Sequence, residues 1–88
     1  MASYKVVPKP SVEKDLGSLP KSTILRVMKQ IDGLASDPFP RQTAKLEGGE
    51  ELYRIRVGDY RVIYGVNREA KVVTIHHVRH RREVYRKL

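Results

Sequence analysis

Three arginines lie close together in the stretch "ELYRIRVGDYRVIYGV", which runs from residue 51 to residue 66. The stretch alternates apolar and polar residues as a β-hairpin does, and Arg54, Arg56 and Arg61 take polar positions of that alternation. A guanidinium group is planar, permanently charged and able to bind two phosphate oxygens at once. Convergent arginines therefore indicate a site for an anion, although the solvated face of a basic sheet would show the same residues.

The register of this hairpin follows from its turn. Gly58-Asp59 has the composition of a two-residue primed turn, which places Arg56 opposite Arg61. Because side chains alternate between the two faces of a sheet, the three arginines share one face. The residues expected on the other face are Tyr53, Ile55, Val57, Tyr60, Val62 and Tyr64. Like charges directly opposite each other cost a strand pair up to about 1 kcal/mol, so stability alone does not account for this arrangement.

The loop after the second strand decides whether Arg79 joins this face. A five-residue loop, Asn67–Lys71, pairs Val66 with Val72 and places Arg79 beside Arg61. The same register brings three further residues to that side, namely Val73, Ile75 and His77. A four-residue loop instead turns Arg79 away. Residue types alone permit either loop.

His77 and His80 are candidates for proton transfer, because an imidazole titrates near neutral pH and an arginine does not lose its proton there. The segment "HHVRH" (76–80) has closely spaced histidines, which also occur in metal sites. It lies at a strand end, and no cysteine or carboxylate ligand accompanies it in the sequence, so we expect neither a metal nor another cofactor. The ordinary alternative for each histidine is a surface or packing residue.

The elements that position these residues follow from apolar periodicity and from proline and glycine. A first strand is predicted at 3–7, and a helix begins at Pro10 and reaches about Leu16. A second, amphipathic helix begins near Pro20. Its apolar stripe is Ile24, Val27, Met28, Ile31 and Leu34. Two adjacent helices with one apolar stripe each predict a helical hairpin packed on a sheet.

Three strands complete the predicted sheet. They are placed at 52–57, 60–66 and about 72–78, after a polar link at 41–50. A short C-terminal helix or tail follows. The order β-α-α-β-β-β predicts an α+β fold with one mostly antiparallel sheet, in which a three-stranded antiparallel meander joins the N-terminal strand.

Composition limits the class of protein. A chain of 88 residues fits one domain, here 1–88. The net charge is +8; residues 1–50 carry eight basic and six acidic side chains (+2), and residues 51–88 carry ten and four (+6). A basic half favours a polyanionic partner such as nucleic acid. With no cysteine, no apolar run of membrane-spanning length and no signal-peptide core, we expect a cytoplasmic protein without a membrane partner.

Two segments carry a resemblance to a known family, the RelE/ParE toxin superfamily, and within it to the RelE-like ribosome-dependent mRNA interferases. "KLEGGEELYRIRVGDYRVIYGV" (45–66) resembles the family pattern "L-x-G … Y-x-I-x-x-G-x-Y-R-x-I-Y". "HHVRHRREVYRKL" (76–88) resembles its closing "HR-x-x-V-Y". The resemblance spans essentially the whole chain, implies a RelE-like, microbial-RNase-like fold, and favours the loop that brings Arg79 to the face of Arg61.

The resemblance implies a metal-free reaction in which a ribose 2′-hydroxyl attacks the adjacent phosphorus, leaving a 2′,3′-cyclic phosphate and a 5′-hydroxyl. The residues that match the family's functional positions are Arg54, Arg56, Arg61, Arg79, Arg81 and Tyr85. Lysine is frequent in the family at the positions of Arg54 and Arg56, and neither arginine can act as a base. The candidates for proton transfer are then Tyr85, His77 and His80. Alternatively, Tyr85 only anchors the tail to the sheet.

The resemblance also implies partners: a cognate antitoxin protein, the ribosome with its mRNA, and a toxin–antitoxin hetero-oligomer. Two other functions fit the sequence. A ParE-like inhibitor of DNA gyrase would share the fold without the nuclease site. A non-catalytic basic module would bind RNA or protein without cleaving it.

Overall fold

One strand, two helices and four further strands follow one another in the described part of the chain. The structure, a computed structural model, describes residues 3–46 and 51–80. The elements are β1 (Lys5–Pro8), α1 (Pro10–Gly17), α2 (Lys21–Gly33), β2 (Ala44–Lys45), β3 (Leu52–Val57), β4 (Tyr60–Asn67) and β5 (Val72–His80). The strand order is β1-β5-β4-β3-β2, with β1 parallel to β5 and the other neighbours antiparallel. The predicted α+β fold is confirmed, and the predicted C-terminal helix lies outside the described residues.

Prolines set the starts of both helices. Pro10 takes the first turn of α1 and Pro20 caps α2, where a missing N–H leaves no hydrogen bond unmade. The apolar stripe of α2 is narrower than predicted. Its buried members are Val27, Ile31 and Leu34, whereas Met28 is 37% exposed. No helix in residues 3–46 or 51–80 is long and apolar enough to cross a membrane.

The core lies between the helices and one face of the sheet. Its strand residues are Tyr53, Ile55, Val57, Val62, Tyr64, Val66, Val73, Ile75 and Val78. Tyr64 is fully buried, and its hydroxyl donates to the Pro38 carbonyl oxygen at 2.8 Å. The same hydroxyl lies 3.1 Å from Thr43 Oγ1. These bonds attach the segment after α2 to the sheet, and the packing role predicted for Tyr53 and Tyr64 is confirmed.

The turn between β3 and β4 has the predicted register. Gly58 has a φ of 60°, while Asp59 does not have positive φ, a combination that matches a type II′ turn with glycine in the first loop position. Arg56 therefore pairs with Arg61, and Arg54 pairs with Ile63. The division of this hairpin into an arginine face and a core face is confirmed.

The connection between β4 and β5 differs from the prediction. Asn67 still belongs to β4 and pairs with Val72, so the loop has four residues, Arg68–Lys71, and Val66 pairs with Val73. Val73 and Ile75 were expected beside Arg61, but both lie in the core with 0% exposure. The expected five-residue loop is wrong because β4 is one residue longer than its apolar pattern indicates.

A β-bulge nevertheless brings the later part of β5 back to the expected face. Tyr64 pairs with Ile75, but the next pair is Ile63 with His77, so His76 is the extra residue at this register shift. An extra residue in one strand reverses the alternation of the side chains beyond it. The prediction that His77 and Arg79 share the face of Arg61 is therefore confirmed, through a bulge that the sequence did not indicate.

Candidate active site

Three arginines form a straight row across three adjacent strands. Arg56 on β3 is directly opposite Arg61 on β4, and Arg61 is directly opposite Arg79 on β5. Neighbouring strands lie about 4.8 Å apart, so three guanidinium groups start from backbone positions spanning only about 10 Å. We call Arg56, Arg61 and Arg79 the arginine row. Such a row concentrates positive charge enough to hold a phosphate group.

A second row runs beside the first. Arg54 on β3, Ile63 on β4 and His77 on β5 are paired in the same way. Arg56 and His77 are exposed, and Arg54 and Arg79 are half-buried. The two rows together form a basic area with one imidazole at its β5 side.

Arg61 is the most enclosed member of the arginine row. It is 4% exposed, and its Nη1 donates to the carbonyl oxygens of Gly58 at 3.3 Å and Tyr60 at 3.1 Å. Its Nε is buried and has no hydrogen-bond partner within the described part of the chain. A buried donor without an acceptor is unfavourable, and an anionic oxygen would satisfy it.

Arg79 is held by a carboxylate of α1, the helix that contacts β5. Its Nη1 lies 3.3 Å from Asp15 Oδ1, and the Asp15 side chain is 7% exposed. Asp15 Oδ2 accepts a hydrogen bond from the backbone N–H of Val78 at 3.0 Å and lies 3.9 Å from His77 Nδ1. One carboxylate on α1 therefore contacts three consecutive residues of β5.

Sequence reasoning missed Asp15. The only local signal is that Ser11 and Asp15 are four residues apart, next to the apolar Val12 and Leu16, and so flank the buried side of a short helix. That spacing indicates a contact with the site only once α1 is known to lie against the end of β5. No periodicity in the sequence establishes this contact.

The two candidate histidines lie on opposite faces. His77 pairs with Ile63 and belongs to the arginine face, whereas His80 pairs with Tyr60 on the face that carries Val62 and Tyr64. The His80 ring packs edge-on against the Tyr60 ring, with a centroid distance of 5.4 Å. The geometry favours His77 over His80 for chemistry at the arginine row.

Arg81 and Tyr85, the two remaining predicted site residues, lie outside the described residues. Within residues 3–46 and 51–80, no group of three or more histidine, aspartate or glutamate side chains is arranged to hold a metal ion. Arg54, Arg56, Arg61, Arg79 and His77 are brought to one face. This set can bind a phosphodiester, stabilise extra negative charge on it, and exchange a proton through one imidazole.

Comparison with known proteins points to the family that residues 45–66 and 76–88 resemble. Residues 6–85 match the family described as the ParE toxin of the type II toxin–antitoxin system, parDE. A protein of Methanocaldococcus jannaschii named as a RelE1 toxin is 32% identical over 78 residues, covering 85% of this chain and 87% of its own length.

Solved structures show the same fold. The archaeal RelE–RelB complex from Pyrococcus horikoshii includes a chain with a TM-score of 0.81 and 44% identity, over 90% of this chain and 96% of that one. The RelBE2 toxin–antitoxin complex from Mycobacterium tuberculosis gives a TM-score of 0.78 and 26% identity, over 89% and 98%. The resemblance carried by residues 45–66 and 76–88 is thereby confirmed, and the chain belongs to the RelE/ParE superfamily of toxins from type II toxin–antitoxin systems.

Proposed function

We propose that this toxin is an endoribonuclease that cleaves messenger RNA on the ribosome and so inhibits translation. The observation that supports it most is the arginine row, in which three permanent charges face one another across β3, β4 and β5. A sheet gains nothing in stability from like charges placed directly opposite each other. A bound phosphodiester would offset that repulsion.

The reaction that suits these residues is attack of a ribose 2′-hydroxyl on the adjacent phosphorus, with departure of the 5′-oxygen. The transition state carries more negative charge than the ground state, so fixed donors stabilise it preferentially. Arg54 and Arg56 are accessible to the incoming phosphate. Arg61, at 4% exposure, has to be uncovered as RNA binds before its Nε reaches an oxygen. The row then surrounds the phosphorane.

Proton transfer in this reaction falls to His77 among the described residues. Attack requires a base for the 2′-hydroxyl, and departure requires an acid for the 5′-oxygen. The arginines cannot serve as a base, and His80 lies on the other face. The family resemblance adds Tyr85 as a stacking and proton-transfer residue and Arg81 as a further cation.

A cognate antitoxin completes the proposed system. The relatives from Pyrococcus horikoshii and Mycobacterium tuberculosis were solved as toxin–antitoxin complexes. A net charge of +8 suits a partner with an acidic segment, and a hetero-oligomer of the two would keep the basic area from RNA. Action on translating ribosomes also implies a cytoplasmic protein.

Inhibition of DNA gyrase is the second candidate, since the matching family is described by its ParE members. A gyrase inhibitor does not itself cleave a phosphodiester, so its function does not call for three arginines in register with a histidine beside them. A basic module that binds RNA without cleaving it would need the arginines but not the imidazole. The basic area therefore favours the nuclease, and both alternatives remain outcomes of the test.

One set of assays separates the three functions. The purified chain is added to a cell-free translation reaction, and the 5′ ends of the message are mapped by primer extension. Supercoiling by gyrase is measured in parallel. New 5′ ends that appear only on translated message support the nuclease, and inhibited supercoiling with intact message would overturn it. Repressed translation with intact message and active gyrase would leave the binding module.

A further inference from the structure

We propose that Asp15 is a positioning residue of the active site, which orients Arg79 and fixes the end of β5 that carries it. The inference rests on the proposed nuclease function. Asp15 Oδ1 lies 3.3 Å from Arg79 Nη1, and Oδ2 accepts the Val78 N–H at 3.0 Å. The carboxylate is nearly buried, with 7% of its side chain exposed. Interactions of enclosed charges are screened little by water and salt.

The chain path explains why a carboxylate is needed at this place. β1 pairs with β5 only as far as Pro8 opposite Ile75, and Pro10 then starts α1. The later part of β5 would thus lose its neighbour on that edge. Ser11 Oγ donates to the His76 carbonyl oxygen at 3.0 Å, and Asp15 accepts the Val78 N–H. One face of α1 therefore replaces the missing strand.

One of these two side-chain bonds lies at the β-bulge and the other just after it. Ser11 binds the bulged residue His76 itself, and Asp15 binds Val78, two residues later. The bulge turns Arg79 toward the face of Arg61. Ser11 and Asp15 thus hold the backbone irregularity on which the arginine row depends.

The ion pair also prepares Arg79 for an anion. Arg79 faces Arg61 across the strand pair, so a negative charge beside it offsets part of their repulsion. The contact with Asp15 is made through Nη1 of the guanidinium. Fixing the long side chain before RNA binds reduces the entropy that binding would otherwise lose.

Asp15→Asn separates the charge from the hydrogen bond. The amide oxygen still accepts the Val78 N–H, while the charge that orients Arg79 is gone. We expect single-turnover cleavage on programmed ribosomes to slow by roughly 10- to 100-fold, with the apparent affinity for ribosomes little changed. Hydrogen exchange of the Val78 amide should remain slow in this variant and accelerate in Asp15→Ala. Glu13→Gln removes an equal charge from an exposed position of α1 and should cleave normally.

A double mutant tests whether Asp15 acts through Arg79. In an Arg79→Ala background, Asp15→Asn should slow cleavage by less than about twofold, because the group it orients is absent. An equal loss in both backgrounds would mean that Asp15 acts through a neighbour other than Arg79, such as His77, and would overturn the proposal. A loss accompanied by fast Val78 exchange would make Asp15 a structural residue and would also overturn it. Normal cleavage by Asp15→Asn would overturn it as well. If the wild-type chain itself cleaves no message, the proposed function fails, and the role of Asp15 in the reaction fails with it.

Discussion

Among the residues that the structure describes, the groups around Arg61 do little to neutralise its charge. Its side chain is 4% exposed, its Nη1 bonds go to two neutral carbonyls, and its neighbours across both strand pairs are arginines. Removing a charge from water is unfavourable unless opposite charge or hydrogen bonds compensate for it. The compensation in the described residues is incomplete, because Nε has no acceptor there. An anionic oxygen of a bound substrate would supply the missing acceptor, which is the role proposed for this residue.

Arg61→Ala tests this interpretation. Loss of one donor to the charge that develops in the transition state typically slows such a reaction about 100- to 1,000-fold, and we expect single-turnover cleavage of mRNA on programmed ribosomes to fall by that factor. Binding to ribosomes should persist, because many other cations contribute to it. Arg41→Ala, at an exposed position outside the basic area, is the matched control for charge.

The folding control for Arg61→Ala is the melting temperature. Relief of like-charge repulsion opposes the loss of a buried aliphatic stem, so we expect the variant to stay folded. Unchanged cleavage in a folded Arg61→Ala protein would contradict the hypothesis that this arginine is catalytic. Inhibition of gyrase and RNA binding without cleavage would then be the remaining candidate functions.

His77 and His80 form a natural matched pair. They are three residues apart on β5, so the alternation of side chains along the strand places them on opposite faces. A positioned acid or base contributes about 100-fold or more to rate, so His77→Gln should slow cleavage by at least that factor. His80→Gln should change the rate by less than about twofold. The reverse order of effects in single-turnover cleavage would refute the assignment.

At the scale of elements, local patterns predicted nearly all of the fold. The Gly58-Asp59 turn fixed the hairpin register because a two-residue loop permits few alternatives, and apolar spacing located both helices. β2 was missed because two residues hold no pattern. The bulge was missed because its supports, Ser11 and Asp15, are 65 and 63 residues away from their partners in β5. The arginine row was thus predictable on β3 and β4, and only tertiary contacts determine its third member.

The attachment of the segment after α2 to β4 gives a prediction about stability. Tyr64→Phe removes the hydroxyl that donates to the Pro38 carbonyl and should lower the free energy of unfolding by about 1–3 kcal/mol. Tyr60→Phe, a half-buried ring on the same strand, should have a smaller effect. Equal losses in chemical denaturation of the two variants would show that the buried hydroxyl has no special role.

The pH dependence of Tyr64 gives a second readout. Burial raises the pKa of its hydroxyl above the usual 10.0, although the hydrogen bond with Thr43 opposes this. Above pH 10 the unfolded tyrosine ionises before the folded one, so the folded state loses stability as pH rises toward the folded pKa. The stability difference between wild type and Tyr64→Phe should therefore shrink in that range. A difference that stays constant in alkaline denaturation curves would exclude this linkage.

At the scale of the whole molecule, positive charge is unevenly distributed along the chain. The chain measures 33 × 27 × 25 Å, and eight of its ten arginines lie in residues 51–88. The helices cover one face of the sheet, which leaves the arginine row on the other. Arg54, Arg56 and Arg79 make the described part of that face basic, and a polyanion would be drawn to it before any specific contact forms.

Salt dependence measures how many of these charges meet phosphate. Each contact with single-stranded RNA adds about −0.7 to the slope of log affinity against log salt concentration. Four contacts, from Arg54 and the arginine row, would give a slope of about −3. We expect Arg56→Ala to weaken binding of a single-stranded RNA and to make the slope shallower by about one contact. Arg41→Ala should leave the slope unchanged, since that side chain lies outside the basic area. Equal slopes for wild type and Arg56→Ala, measured by fluorescence anisotropy over a series of salt concentrations, would place the RNA elsewhere on the protein.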